Sequence, residues 1–466
     1  MFAKILQWIR ERIDKMLNTQ TLKTTMKVDV AISPVMITAL QTWCLMYENK
    51  ATWLVTDVKS LNLASTIAGE IARAVTIEMK IKLAGGVRAE FLAETMRPVQ
   101  EKLRRQVEYG VAKGGLMMKP YIDGDKIAVD FIQADQFYPI NFDTSGKITA
   151  CVFSDQRVIK DWTYTRLEYH EFSAGKYTVK NEAFKVKGNM KDVLGTKCNL
   201  SEVPAWKSLQ PEAMITGISR PLFGYFKYPQ ANNIDPTSPL GVSCYSRAVE
   251  LIKQADQQWS DLLWEFDSGK RALYVDNLAF GKDSNGKPIL PIKRLYRTLE
   301  PNDTEKNMFE AWSPDFREVS LLSGLDAILR KVEFSCGLAY GTLSNPQTID
   351  KTATELKIAQ QRSYATITDT QKSLEIALND LLYAIDIWTT LGNLAPKAPY
   401  IVTYDFDDSI VVDKDAQFTQ DLRLVTTNIM SKVEFRMRNF GEDQETAQTK
   451  IDDAAPAPID MGQGGF

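Results

Sequence analysis

From Glu355 to Leu391 the chain runs without a proline or a glycine, and no other stretch restricts the fold so tightly. Ile367, Leu374, Leu378, Leu381, Ile385 and Trp388 fall on a four-three spacing, with Gln371 the one polar member. That spacing is heptad-like and predicts a long helix with a packing seam. Burying one seam recovers less than ordering a helix of this length costs. The helix is therefore expected to pack on several faces, against its own chain and against copies of it.

Upstream lies a helical segment, Leu322 to Ser335, and then a turn-rich break, Gly341-Thr-Leu-Ser-Asn-Pro-Gln-Thr-Ile-Asp350. Ser344, Asn345, Gln347 and Asp350 suit a loop, and Pro346 denies the chain a helical hydrogen bond. Thr348 or Asp350 can cap the first turn of the helix that restarts there.

A second heptad-like helix is read between Ser243 and Gly269. Ala248, Ile252, Ala255, Trp259, Leu262 and Phe266 form its apolar seam, and Glu250, Asp256, Asp261, Glu265 and Asp267 an acidic opposite face. Gly269 is its expected C-cap. Between the two helices, 270–315 reads as a compact insert of short strands and turns. Its Lys287, Lys293, Arg294 and Arg297 have no acidic residue among them. Such a basic patch suits phosphate or an acidic partner, and suits a solvated strand face equally well.

The N-terminal half changes period twice. Met1 to Lys27 carries Ile5, Trp8, Ile9, Ile13, Met16 and Leu17 on one helical face and is basic, which fits a docking helix better than a membrane-surface one. Ser33 to Lys113 reads as mostly helical, ending at Gly114-Gly115. An antiparallel meander is then expected through Leu116–Tyr121, Lys126–Phe131, Lys147–Phe153, Tyr164–Phe172, Tyr177–Lys180 and Ala183–Val186, with turns at Gly175 and Asn181 among others. Asn189 to Pro239 is a proline-rich connector. After the long helix, Pro399 to Val412 reads as strand and Lys414 to Asp453 as one or two helices in an acidic region. The tail, Ala454 to Phe466, has the composition of a disordered segment.

The 466 residues, 44% apolar and 25% charged, fit a globular protein of two to four domains. A net charge of -3 and a pI near 5.6 argue against a surface that grips nucleic acid throughout. Five scattered cysteines, Cys44, Cys151, Cys198, Cys244 and Cys336, indicate neither a disulfide framework nor a zinc knuckle. No apolar run approaches the length of a membrane span.

Catalytic signatures are sparse. The one histidine, His170, sits in a strand-like run, and no nucleophile elbow, metalloprotease motif or phosphate loop accompanies it. Asp405-Phe-Asp-Asp-Ser409 with Asp413 and Asp415 is the best cation candidate, yet it lacks the glycine and bidentate glutamate of an EF-hand. A solvated strand end followed by a helix cap uses the same acids.

Val107-Glu-Tyr-Gly-Val-Ala-Lys-Gly-Gly115 leading to Lys119-Pro-Tyr121, Pro221-Leu-Phe-Gly-Tyr225, Asn232-Asn-Ile-Asp-Pro-Thr-Ser-Pro-Leu-Gly-Val-Ser243 and Lys351-Thr-Ala-Thr-Glu355 follow one another in an order and spacing that resemble the portal proteins of tailed bacteriophages. The likeness is to the siphophage portal family of the Listeria and Lactobacillus phage type, and it covers almost the whole chain. The resemblance implies an α+β portal fold in a twelve-fold ring. Residues 1–242 would be the N-terminal region and wing, which holds the meander; 243–269 and 316–340 the two stem helices; 270–315 a small α/β clip. Residues 341–351 would be a tunnel loop, 352–412 the long helix and a returning wing strand, 413–453 a short helical crown and 454–466 a tail.

It further implies no catalytic residue, cofactor, metal or membrane, and a place at one capsid vertex of the virion. Implied partners are copies of the chain, terminase, a head-tail connector, capsid and scaffolding proteins, and double-stranded DNA passing through weakly bound. Ser344, Asn345, Gln347, Asp350 and Lys351 are then expected at the constriction. Lys287, Lys293, Arg294 and Arg297 are expected on the clip face, and Ile252, Trp259, Leu262 and Phe266 in stem packing. Two other classes remain open at this level, a pore-less virion adaptor and a metal-dependent DNA-processing enzyme built on Asp405 to Asp415.

Overall fold

The computed structural model describes residues 26–268 (apart from 56, 78 and 189–192), 272–276, 296–299, 309–312, 317–346, 353–406 and 414–453. The expected N-terminal docking helix, Lys287, Lys293, Arg294, Gln347, Asp350, Lys351 and the tail lie outside the described residues. The chain divides into two compact units, Met1–Asp405 and Phe406–Phe466.

In the first unit, helices α1 (Pro34–Tyr47), α2 (Leu63–Thr76) and α3 (Val87–Lys113) are interrupted by strand β1 (Lys80–Gly85). Ser33 caps α1, its hydroxyl accepting from the Met36 amide, and Pro34 opens the first turn. β1 is a strand within a region expected to be mostly helical. Its partner is β14 (Tyr400–Asp405), more than three hundred residues away in sequence, so local periodicity carries no trace of the pairing.

Two sheets follow where a single meander is expected. β2 (Gly115–Asp123) and β3 (Lys126–Gln133) form a hairpin that takes β10 (Gly224–Lys227) as its third strand. β4 (Phe137–Phe142), β5 (Ile148–Ile159), β6 (Trp162–Ser173), β7 (Lys176–Lys187) and β8 (Thr196–Cys198) form the second sheet in sequential order, and β9 (Glu212–Thr216) adds to β7. The expected turn at Asn181 is absent. β7 runs straight through it, because Asn181 takes Arg166 across the sheet at 3.1 Å and its own amide groups bond the carbonyls of Gln210 and Pro211. Ala174 and Gly175 do turn the β6–β7 hairpin.

Next come α4 (Val249–Ser268), a three-stranded sheet of β11 (Ala272–Asp276), β12 (Tyr296–Leu299) and β13 (Phe309–Trp312), then α5 (Glu318–Cys336) and the 39-residue α6 (Ala353–Leu391). β11 is central, parallel to β12 and antiparallel to β13. α6 is the spine of the unit: Ile367, Leu374, Leu378, Leu381 and Ile385 are buried, and so are Ala377, Leu382 and Ala384 off the seam. Its C-terminal end is fastened to α3 by Arg88, fully buried, which bonds Asp386 Oδ1 at 2.7 Å, Thr390 Oγ1 at 2.6 Å and the carbonyls of Asp386 and Ala395.

Glycines set how closely these layers approach. A Cβ on Gly224 would stand 2.3 Å from the Ala377 carbonyl oxygen of α6, and one on Gly241 would stand 2.0 Å from the Gly114 oxygen. Gly114 itself is left-handed (φ +87), ends α3 and accepts from the Tyr228 amide. Three of the sequence stretches singled out above thus meet around Gly114, Gly224 and Gly241.

The second unit comprises α7 (Lys414–Thr426), α8 (Lys432–Phe440) and α9 (Gln444–Asp453). Phe418, Phe435 and Phe440 pack edge to face, and Glu442 joins Arg436 and Lys450. Those two cations hold the Glu442 carboxyl down to about 2.

Candidate functional site

α4 and α5 are antiparallel. Glu265 near the end of α4 meets Arg317 at the start of α5, while Gln258 reaches the Leu321 carbonyl and lies beside Gly324. The Glu265–Arg317 contact is bidentate, at 3.1 and 2.6 Å, with the Arg317 amide adding a third bond. These bonds hold Glu265 below its ordinary range and raise Arg317. The helix pair is therefore tied together where it gives way to the small sheet.

The acidic face expected on α4 is only partly a face. Glu250 and Asp261 are exposed, but Asp256 and Glu265 are buried. Asp256 accepts from Trp53 Nε1 at 2.9 Å and the Leu61 amide at 2.8 Å. Burial raises its pKa above the ordinary value, and these hydrogen bonds act the other way. Burying an acid requires such partners, and they come from a segment nearly two hundred residues upstream, invisible to a helical wheel. Of the expected packing residues, Ile252 and Leu262 are buried and Trp259 half-buried. Phe266 departs from the expectation: it is 42% exposed in the single chain, with Trp264 beside it 65% exposed.

At the other end of α5, Gly337 adopts the left-handed conformation (φ +72) and terminates the helix, with Gly337 and Leu338 amides capping the Phe334 and Glu333 carbonyls. The turn that follows folds back onto two carboxylates. Glu333, fully buried, accepts from the amides of Gly341 (3.1 Å), Leu343 (2.6 Å) and Ser344 (2.8 Å) through Oε1, and from the Ser344 hydroxyl (2.9 Å) through Oε2. Asp326 accepts from the Asn345 amide at 2.8 Å and pairs with Arg330 at 2.7 Å. Arg362 of α6 stacks over the Phe334 ring at 4.1 Å.

Ser344 is thus not presented as an open lining residue. It is 4% exposed and its hydroxyl is used internally, because the buried Glu333 carboxylate needs every donor the turn can supply. Asn345 is placed by its backbone. Arg297 stands on β12 in register with Tyr274. Sequence reasoning passed over Glu333, Asp326 and Arg362. One signal for Glu333 was present: a carboxylate in the last turn of a helix opposes the helix dipole and calls for local donors.

His170 is buried, 2.9 Å from Glu168 and hydrogen-bonded to the Tyr177 hydroxyl at 2.6 Å. Lys119 (2.5 Å) and Arg166 (3.1 Å) also reach Glu168. This is a neutralised cluster knitting β2 to β6 and β7. Of the acidic run after Asp405, residues 407–413 lie outside the described set, and Asp405 itself pairs with Lys82 at 3.0 Å. Among the described residues no helix is long and apolar enough to cross a membrane.

A family model described as "Phage portal protein, SPP1 Gp6-like" matches residues 95–455. The chain belongs to this portal-protein family. The match takes in both sheets of the β-rich region, the α4–α5 pair, the small sheet between them, α6 and most of the second unit. No curated protein matches the portal chain. A solved structure described as the neck of a native GTA particle computed with C12 symmetry aligns with 89% of this chain and 97% of its own, at 12% identity and a TM-score of 0.44. The mixed helix and strand content suits an α+β portal fold, and portal proteins are structural components of the virion rather than enzymes.

Proposed function

We propose that the portal chain closes into a ring, twelve subunits at one capsid vertex, whose axial channel carries DNA inward during packaging by terminase and outward at ejection. In this reading α4 and α5 form the stem, and 270–315 is the clip that meets terminase and later the head-tail connector. The 341–351 segment borders the channel and leads into α6, residues 413–453 are a short crown, and the β-rich region is the wing, in touch with capsid and scaffolding proteins.

The observation that carries this reading is the antiparallel α4–α5 pair. It is bolted by Glu265–Arg317 where a small sheet is inserted and continues, past a turn fixed on Glu333, into the longest helix of the chain. Val319, Leu322 and Phe334 of α5 and Trp264 and Phe266 of α4 are exposed in the single chain, apolar surface of the kind a neighbouring copy buries. Exposed acids such as Glu250 and Asp261 suit a conduit, since each lasting cation–phosphate contact would retard the DNA and add salt dependence.

Native mass and electron images of the assembled protein test the reading. Twelve chains of 52.6 kDa give a particle of about 630 kDa (12 × 52.6) with an axial hole. A stable monomer under assembly conditions would overturn it, and a closed particle without a hole would favour a pore-less adaptor. Metal-dependent nuclease activity would return attention to Asp405.

A further inference from the structure

Asp326 and Glu333 are seven residues apart on α5, two helical turns, so their side chains leave the same face of the helix. Both accept hydrogen bonds from the backbone of the turn that follows: Glu333 from the amides of Gly341, Leu343 and Ser344, Asp326 from the amide of Asn345. Four amides that belong to no helix or strand are thereby satisfied by two carboxylates. No side chain of the turn except the Ser344 hydroxyl contributes to these bonds.

Asp326 also pairs with Arg330 one turn along α5, but nothing on α5 itself explains Glu333. Glu333 lies in the last turn, where the helix dipole disfavours negative charge, and it is fully buried. What it gains there is the curled backbone of 341–344, whose converging N–H groups form the kind of concavity that binds an anion. Here the anion is supplied by the protein.

From this geometry we infer that Glu333 and Asp326 are positioning residues that anchor the entry to the candidate tunnel loop, fixing residues 341–345 along α5 chiefly through their backbone amides. The significance for the channel rests on the reading given above; the anchoring does not. Gly337 makes the arrangement possible, because a Cβ there would stand 2.3 Å from Thr366 Oγ1 and its φ of +72 disfavours any side chain. Arg362, nine residues into α6, stacks on Phe334 and so ties that helix to the last turn of α5. The carboxylates thus set where the chain leaves the stem. The side chains of Thr342 and Leu343 take no part in these bonds, whereas Gly341 is left-handed (φ +89) and the Ser344 hydroxyl is itself a donor to Glu333.

Amide hydrogen exchange on the assembled full-length chain tests this without DNA. In the wild type, Gly341, Leu343 and Ser344 exchange slowly although they lie in a turn. In Glu333→Ala they accelerate by about tenfold or more, while residues 374–385 of α6 keep their protection. Glu333→Gln retains an accepting oxygen without the charge and gives a smaller acceleration confined to the same amides, and Asp326→Asn does so at Asn345. Unchanged exchange at Gly341, Leu343 and Ser344 in Glu333→Gln would overturn the assignment whether or not Glu333→Ala folds. Because the readout involves no DNA, failure of the anchor is distinguishable from failure of the channel reading, which stands or falls on the ring and its axial hole.

Discussion

Gly224 and Ala377 touch backbone to backbone: the helix α6 lies so close to strand β10 that a single methyl group on Gly224 would fall 2.3 Å from the Ala377 carbonyl oxygen. Neither atom belongs to a flexible side chain, so the contact cannot be relieved by a rotamer change. Gly224→Ala is expected to lose about 1–3 kcal/mol by forcing the helix and sheet apart. Gly86 is the matched control, since nothing lies within 4 Å of a Cβ there and its φ is -84. Denaturant unfolding of the two variants at equal concentration measures the difference.

Arg88 carries a larger share. Removing its guanidinium leaves the Asp386 carboxylate and the Ala395 carbonyl without their donors at the C-terminal end of α6. Arg88→Ala is expected to cost about 3–5 kcal/mol. Arg88→Lys recovers little, because a point charge cannot reproduce the fork. A shift of the unfolding midpoint that is similar for both variants confirms the geometric requirement.

The larger sheet has a built-in acid sensitivity at His170. Burial is the largest cause that holds its pKa below the ordinary 6.5; Glu168 opposes this, and Lys119 and Arg166 reinforce it. The unfolded chain therefore binds the proton first, and stability is lost as pH falls below about 6.5 toward the lower folded value. Glu168 behaves separately. Burial pushes it up, but Lys119, His170 and Arg166 hold it well below 4.5, so its contribution is present above that value and is lost at still lower pH. His170→Gln should flatten the first phase and weaken the second without abolishing it, since Lys119 and Arg166 still hold Glu168 down, as read from thermal unfolding across pH.

The proposed clip face gives a prediction for partners. Reversing Lys293, Arg294 and Arg297 together to glutamate is expected to weaken terminase or connector docking at least about tenfold while the ring mass is unchanged. A pull-down across a salt series checks it, since a contact of this kind weakens as ionic strength rises.

Helical periodicity made α4, α5 and α6 legible in the sequence because each buries a continuous stripe, and Gly175 marked a true turn because no side chain competes for its conformation. What escaped was non-local. Asp256 and Glu265 read as solvent-facing acids because their partners, Trp53, Leu61 and Arg317, stand far from them in sequence. β1 escaped for the same reason, and Asn181 was misread because its amide serves the sheet. At the candidate site the break after α5 was visible, whereas its fixation was not. The donors are backbone amides, which every residue type carries alike.

The meeting of Gly114 with Gly241 has a consequence for how this protein can change. α3 ends where the chain returns toward α4, and the Cys244 amide bonds the Val111 carbonyl across the junction. Everything from Gly115 to Leu240 is therefore an excursion whose two ends meet at one point. Because β10 within that excursion also packs on α6, with Gly224 against Ala377 and Ser373 bonded to the Lys227 carbonyl, changes of length are tolerated only farther out, at turns such as Gly124, where an added Cβ would meet nothing within 4 Å. The two glycines pin both ends of that excursion at one point, so that variation is left to the turns it carries away from the helices.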